Sequence, residues 1–267
     1  MLPNSGVGER HVARTMTQDF YDALAPFYHL LYPDWGASIA RQCRGAAAVL
    51  TEFGVGPGSD ILDAACGIGT QSLGLTELGY RVTASDISAG AVARARAEAD
   101  ARGLRIAFAL ADLRHLSEAF SEPFAAVIAL DNAIPHLLSD GEIRAAFVEC
   151  RKVLRPGGVL LISVRDYAAI DRRTPAVHPY GTRTIGDRQY SAEQVWRWDG
   201  DQYDLTLKVT EQHGDEPPVI HEFRSRYYAV DLQTLQRLMQ EADFERVTRR
   251  DDHFFQSLLV GVNAPAS

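Results

Sequence analysis

Between residues 60 and 164 the chain alternates short apolar runs with longer amphipathic segments, and this alternation restricts the fold more than any other feature. The runs are "DILDAA" (60–65), "RVTAS" (81–85), "RIAFAL" (105–110), "AAVIAL" (125–130) and "GVLLISV" (158–164). Between them lie "QSLGLTELG", "AGAVARARAEADARG" and "DGEIRAAFVECRKVLRPGG". A strand that is apolar nearly throughout must be covered on both faces, and strands separated by helices pair in parallel. The pattern predicts a doubly wound α/β core.

The flanks read differently. From Phe20 to about Phe53, aromatics and leucines recur at helical spacing, punctuated by Pro26 and Pro33. After Val164 the rhythm breaks: Pro175, Pro179, Gly181 and Gly186 are followed by two strand-like segments joined at Asp199-Gly200-Asp201, and then by "PPVIHEFRSRYYAV". Asp231 caps a last helix, and "ERVTRRD" and "FFQSLLVGV" supply two closing strands. The expected organisation is a flexible tail (1–19), an N-terminal helical lid (20–53), a core (54–165), an antiparallel β insertion (166–230) and a completing helix with two strands (231–267). Together these make a mostly parallel, seven-stranded Rossmann-like sheet with a lid and an insertion after the fifth strand.

Charge and cysteine usage narrow the partners. Among the 267 residues, 35 acids outnumber 27 lysines and arginines for a formal charge of −8, and no basic stripe of the kind that nucleic-acid binding needs is present. Cys43, Cys66 and Cys150 are an odd set without C-x-x-C spacing, which argues against a disulfide framework and a thiolate metal site. The start has no apolar targeting core, and no segment has the apolar length of a membrane span. A small-molecule partner and a cytoplasmic setting are expected, with neither nucleic acid nor membrane.

Ligands of doubly wound sheets sit beyond the carboxyl ends of the strands, which directs attention to "ILDAACGIGTQSL" (61–73). Gly67 and Gly69 let the main chain come close to a ligand. A dinucleotide turn would carry a third glycine where Ser72 stands, and Asp63 would repel its diphosphate. A carboxylate favours instead the ammonium of a phosphate-free molecule. In this acid, small residues and G-x-G, the chain resembles the class I S-adenosylmethionine-dependent methyltransferases, whose cofactor carries such an ammonium.

The resemblance implies that Asp63, Ala64, Gly67 and Gly69 face the methionine end of S-adenosyl-L-methionine. One βαβ unit later, "ASDIS" places Asp86 and Ile87 at the second strand end, where a carboxylate accepts hydrogen bonds from ribose hydroxyls. "LADL" then offers Asp112 and the Leu113 amide for the adenine, and Leu130 closes the fourth strand at the reactive centre. Taken singly, each acid is equally a helix cap.

"ALDNAIPHLLSD" (129–140), "SVRDY" (163–167), "FYDALAPFYHLLYPDW" and "EFRSRYYAV" are similar to the glycine/sarcosine N-methyltransferase branch. That resemblance implies Asn132 and His136 lining the site, Arg165 holding a substrate carboxylate, and Tyr21 near the cofactor. Arg165 is alternatively paired with Asp166 or Asp171, and His136 a satisfied local group. Asp131 and Pro135 depart from the branch, which carries a glycine and another small residue there. Helical spacing predicts core packing for Tyr28 and Tyr32. Only one of Tyr227 and Tyr228 can enter a cavity, and Trp196 and Trp198 cover the insertion.

The reading is an S-adenosylmethionine-dependent enzyme that N-methylates an amino-acid-like small metabolite. A small-molecule O-methyltransferase with His136 as base, a nucleotide-dependent oxidoreductase and a non-catalytic cofactor-binding subunit stand as alternatives.

Overall fold

The computed structural model describes residues 15–264. Its elements run α1 (Met16–Leu24), α2 (Trp35–Glu52), β1 (Asp60–Asp63), α3 (Thr70–Glu77), β2 (Arg81–Asp86), α4 (Ala89–Ala101), β3 (Ala107–Leu110), α5 (Leu116–Ala119) and β4 (Phe124–Ala129). They continue through α6 (Asp140–Lys152), β5 (Leu154–Val164), β6 (Ala176–Ile185), β7 (Arg188–Asp199), β8 (Gln202–His213), β9 (Val219–Tyr228), α7 (Leu232–Glu241), β10 (Phe244–Arg250) and β11 (Ser257–Asn263). Short 3-10 turns cover Tyr28–Leu31, Ile134–His136 and Tyr167–Ala169.

A seven-stranded sheet has the order β10-β11-β5-β4-β1-β2-β3. β1 to β5 pair in parallel, and β11 joins β5 antiparallel. The order reverses between β1 and β4, so the carboxyl ends of β1, β2 and β4 converge on one crevice. All six residues of β4 are buried, as a central strand covered on both faces requires. Among the described residues no helix is long and apolar enough to cross a membrane.

The second sheet, β6-β7-β8-β9, is antiparallel and turns at Gly200, as the Asp-Gly-Asp signal predicts. Its edge strand β6 is not legible in the sequence, because Pro179 and Gly181 interrupt the pattern. The ladder absorbs them in a register shift between those two residues, at the edge where a missing N–H and a bulge are tolerated.

Two boundaries differ from the sequence expectation. Residues 1–14 of the expected tail lie outside the described residues, but its end is ordered: α1 begins at Met16 under a Thr15–Gln18 capping box. α2 belongs to the lid only at its start. Ile39, Cys43, Ala46, Val49 and Leu50 bury its inner face in one core cluster with Ile61 of β1, while Ser38, Arg41 and Gln42 border the second cavity beside α1 and the following turn. α1 packs on both α4 and β9, where Asp22 accepts from Ser88 Oγ at 2.6 Å and Gly90 N at 2.7 Å.

The contact of α2 with α3 is close because position 74 carries no side chain: a Cβ at Gly74 would lie 2.5 Å from Cys43 Sγ and 2.8 Å from Ile39 Cγ2. Replacing a helical glycine by alanine ordinarily gains up to about 1 kcal/mol, whereas overpacking costs about 1–3 kcal/mol. With several contacts this short, overpacking wins. Gly74→Ala is therefore expected to lower unfolding free energy by roughly 1–2 kcal/mol in urea titrations, with partial recovery when Cys43→Ala is added.

Candidate active site

The turn after β1 divides its two glycines between separate tasks. Both are left-handed, Gly67 at φ 52° and Gly69 at φ 94°. A Cβ on Gly67 would meet nothing within 4 Å, so its backbone opens onto a cavity, while one on Gly69 would press on Ala95 Cβ at 3.2 Å. Gly69 caps α3 and seats the turn on α4 and is not a cavity wall. That corrects the expectation that both glycines face the ligand.

Asp63 is corrected in the same way. It is 1% exposed and accepts from Ser72 Oγ at 2.6 Å, beneath the turn and away from the cavity lining. Burial pushes its carboxyl up to about 7, with the Ser72 hydroxyl and neighbouring amides pulling the other way. Ser72, read from the sequence as a missing glycine, is thus the acid's partner.

A cavity of about 260 Å³ lies over the ends of β1, β2 and β4. Ala64, Gly67, Asp86, Ile87, Asp112, Leu113 and Leu130 line it, with Tyr21 and His136 above. Asp86 accepts from Gly67 N at 2.8 Å and from Ser88 N at 2.9 Å, so one carboxylate fixes two turns. Burial raises its carboxyl above the ordinary carboxylate value, against the pull of those amides. Asp112 is gripped by Arg114, whose Nη2 lies 2.6 Å from Oδ2 and whose Nη1 reaches Glu142 at 2.7 Å. Burial works against the Asp112 charge, but those hydrogen bonds prevail and hold its carboxyl low. Sequence reading missed Arg114, although it stands two residues after Asp112 in "ADLR".

A second cavity of about 260 Å³ adjoins the first, and the two share Tyr21, Tyr28, Tyr32 and Asp131 among their described walls. Tyr28 and Tyr32 are therefore cavity walls and not simple core packing: both hydroxyls donate to Asp131 Oδ2, at 3.3 and 2.8 Å. Burial and then the Asp131 charge raise both phenols well above their ordinary value, so they remain donors. Tyr227 enters this cavity, whereas Tyr228 turns outward to Asp140.

Asn132 and Arg165 also line the second cavity. The amide of Asn132 is engaged internally: Nδ2 donates to Tyr167 Oη at 2.9 Å, and Oδ1 accepts from Arg165 N at 3.1 Å. The Arg165 guanidinium lies over the Trp196 ring at 5.3 Å, and no carboxylate within ion-pair distance meets it among the described residues. Asp166 and Asp171, its alternative partners, bind Arg249 and Arg173.

His136 Nε2 is 2.8 Å from Tyr21 Oη, Nδ1 is 3.4 Å from Ser225 Oγ, and the ring packs on Tyr227 at 4.1 Å between centroids. Burial, then the nearby Arg165 charge, lowers its pKa to about 3. The imidazole is neutral at physiological pH.

A methyltransferase-domain family model matches residues 61–158. A glycine/sarcosine N-methyltransferase of Parasynechococcus marenigrum is 33% identical over 134 residues, covering 50% of this chain and 46% of that protein. The chain thus spans about half the length of the glycine/sarcosine relatives it matches. Glycine N-methyltransferase of Rattus norvegicus is 30% identical over 207 residues, 68% of each chain. The sugar N-methyltransferase KedS8 from a Streptoalloteichus species shares the fold with a TM-score of 0.75 at 20% identity, over 98% of this chain and 100% of that one. The chain belongs to the class I S-adenosylmethionine-dependent methyltransferases, an enzyme family whose cofactor is S-adenosyl-L-methionine. The donor set of the first cavity fits that cofactor: open backbone at Gly67, carboxylates at two strand ends, apolar Ile87, Leu113 and Leu130, and one arginine already held by two acids.

The sign of the His136 shift gives a direct test. A folded pKa below the unfolded value of about 6.5 contributes stability that is present above that value and lost as pH falls toward about 3. Asp63, raised to about 7, acts oppositely, losing stability as pH rises through that value. Because the two oppose each other in global unfolding, the local probe is histidine-selective ¹⁵N NMR. His136 is expected to keep neutral-imidazole shifts down to about pH 4, and a midpoint near 6.5 would contradict the burial argument.

Proposed function

We propose that the protein transfers a methyl group to the amine nitrogen of a small, amino-acid-like metabolite, of the glycine or sarcosine type, whose carboxylate sits on Arg165. The observation that carries this reading is the pair of adjoining cavities, with a guanidinium in the second that has no carboxylate partner among the described residues. A charge removed from water without a counter-ion is costly, and the planar fork of arginine matches a carboxylate.

When bound in the first cavity, S-adenosylmethionine supplies an electrophilic methyl group on a sulfonium. In this reading Asp86 receives the ribose, Asp112 and Leu113 the adenine, and the Gly67 backbone with Ala64 and Leu130 the methionine end. Tyr21, Tyr28 and Tyr32 form the shared wall, exclude water and orient the acceptor, and position and desolvation do most of the work for such a displacement. Asn132 holds the Arg165 backbone and so acts as a positioning residue.

The amine reading is favoured over O-methylation by the state of His136. A hydroxyl acceptor needs a base, and an imidazole whose pKa is lowered to about 3 and whose Nε2 is engaged by Tyr21 is a poor one. An amine needs only its free lone pair. The nicotinamide-dependent oxidoreductase alternative is set aside by the similarity to methyltransferases. Buried, free cysteines suit a reducing setting such as cytoplasm.

The decisive experiment is a mass-spectrometric screen of glycine, sarcosine, other amino acids and phenolic acids with isotope-labelled S-adenosylmethionine. Methylation confined to hydroxyls would overturn the amine assignment. Arg165→Gln is expected to raise KM for a carboxylate-bearing acceptor about 10- to 100-fold, with Arg165→Lys partly restoring it. Asp86→Ala should weaken S-adenosylhomocysteine binding by a similar factor of about 10 to 100 in calorimetry. Turnover should rise with pH as the acceptor's own ammonium deprotonates, with no inflection from His136 near neutrality.

A further inference from the structure

Asp131 is the one carboxylate that lines both cavities among the described residues. It follows β4 in a left-handed conformation, φ 55°, and Asn132 repeats that conformation at φ 65°. Non-glycine residues rarely adopt this region, although aspartate and asparagine tolerate it best. The backbone is held there by Ser163, whose Oγ accepts from Asp131 N at 2.7 Å and whose carbonyl accepts from Asn132 N at 3.1 Å. The unusual turn aims the acid at the junction of the cavities.

Its two oxygens differ. Oδ2 accepts from Tyr32 and Tyr28, whereas Oδ1 has only a 3.5 Å contact with Gln256 Nε2. No lysine, arginine or histidine forms an ion pair with Asp131 among the described residues. All its partners are neutral donors, leaving an anion without a counter-charge and with acceptor capacity at the point where the two compartments meet.

We propose that Asp131 Oδ1 receives the acceptor's ammonium on binding while Arg165 reads its anionic group, so that the protein selects zwitterionic amines over hydroxy acids; the nitrogen attacks only after one proton has left to solvent, with Oδ1 then accepting from a remaining N–H. This deepens the amine reading above and rests on it. A sulfonium has no N–H to donate to Oδ1, an alcohol offers one neutral donor, and a second carboxylate at that point is repelled. An ammonium satisfies both the charge and the lone pairs. Discrimination by a site built for N–H donors is large, because the analogue lacking them leaves the acceptor unpaired.

The test compares wild type with Asp131→Asn, which suits the left-handed backbone and removes only the charge. Proteinogenic amino acids and sarcosine are assayed beside glycolate, lactate and 3-phenyllactate, and S-adenosylhomocysteine affinity is measured by calorimetry on both proteins. The expected result is that wild type methylates amino acids, that Asp131→Asn raises their KM about 10- to 100-fold, and that S-adenosylhomocysteine affinity changes less than about 2-fold. Amino-acid methylation with an unchanged KM in Asp131→Asn overturns the role of Asp131 and leaves the amine reading standing. Methylation of hydroxy acids alone overturns both. A loss of S-adenosylhomocysteine affinity as large as the loss for the acceptor assigns Asp131 to the cofactor and defeats the proposal. Tyr32→Phe keeps the charge and frees one restraint, so it provides a second measurement if Asp131→Asn does not fold. A several-fold rise in amine KM at nearly constant kcat supports the proposal, and no change opposes it.

Discussion

The clamp between the ends of β4 and β5 organises everything around the crevice. Ser163 takes the N–H groups of both Asp131 and Asn132, and Asn132 in turn holds the Arg165 amide and the Tyr167 hydroxyl. These bonds fix two left-handed residues that the chain would not otherwise adopt. From this one junction Asp131 is directed to the shared wall, Arg165 to the second cavity and the 3-10 turn of His136 to the first. The parallel pairing of β4 with β5, buried on both faces, is what makes the junction rigid.

The electrostatics of the two cavities differ in kind. In the first, Asp86 and Asp112 meet mainly backbone amides and Arg114, and the local charges are largely resolved within the protein. In the second, Arg165 rests on an indole face and Asp131 on tyrosine hydroxyls, so charges of both signs are held by neutral neighbours. Aromatic and hydroxylic partners offset part of the cost of holding those charges.

The sheet was legible in the sequence because burial writes itself as continuous apolar runs, and five of the seven strands read that way; β3 did so although it is the sheet edge and none of its residues is buried. The strand-end positions of Asp86, Asp112 and Leu130 followed from the strand pattern together with the methyltransferase resemblance. Other features depended on direction, which periodicity does not encode. Asp63 ends β1 but its carboxylate turns under the loop to Ser72, and Gly69 packs on α4 instead of facing the cavity. Helical spacing placed Tyr28 and Tyr32 on a buried face without revealing that a cavity, not a packed core, lies beneath it. β6 stayed hidden because an edge strand accepts the proline and glycine that a central strand excludes.

The position of α1 has one further implication. Phe20 and Leu24 border the second compartment, Met16 and Thr17 the first, and Tyr21 both. A single nine-residue segment thus contributes to the walls of both, pinned by Asp22 to the start of the helix that follows Asp86. The packing of α1 therefore sets the walls of both chambers at once.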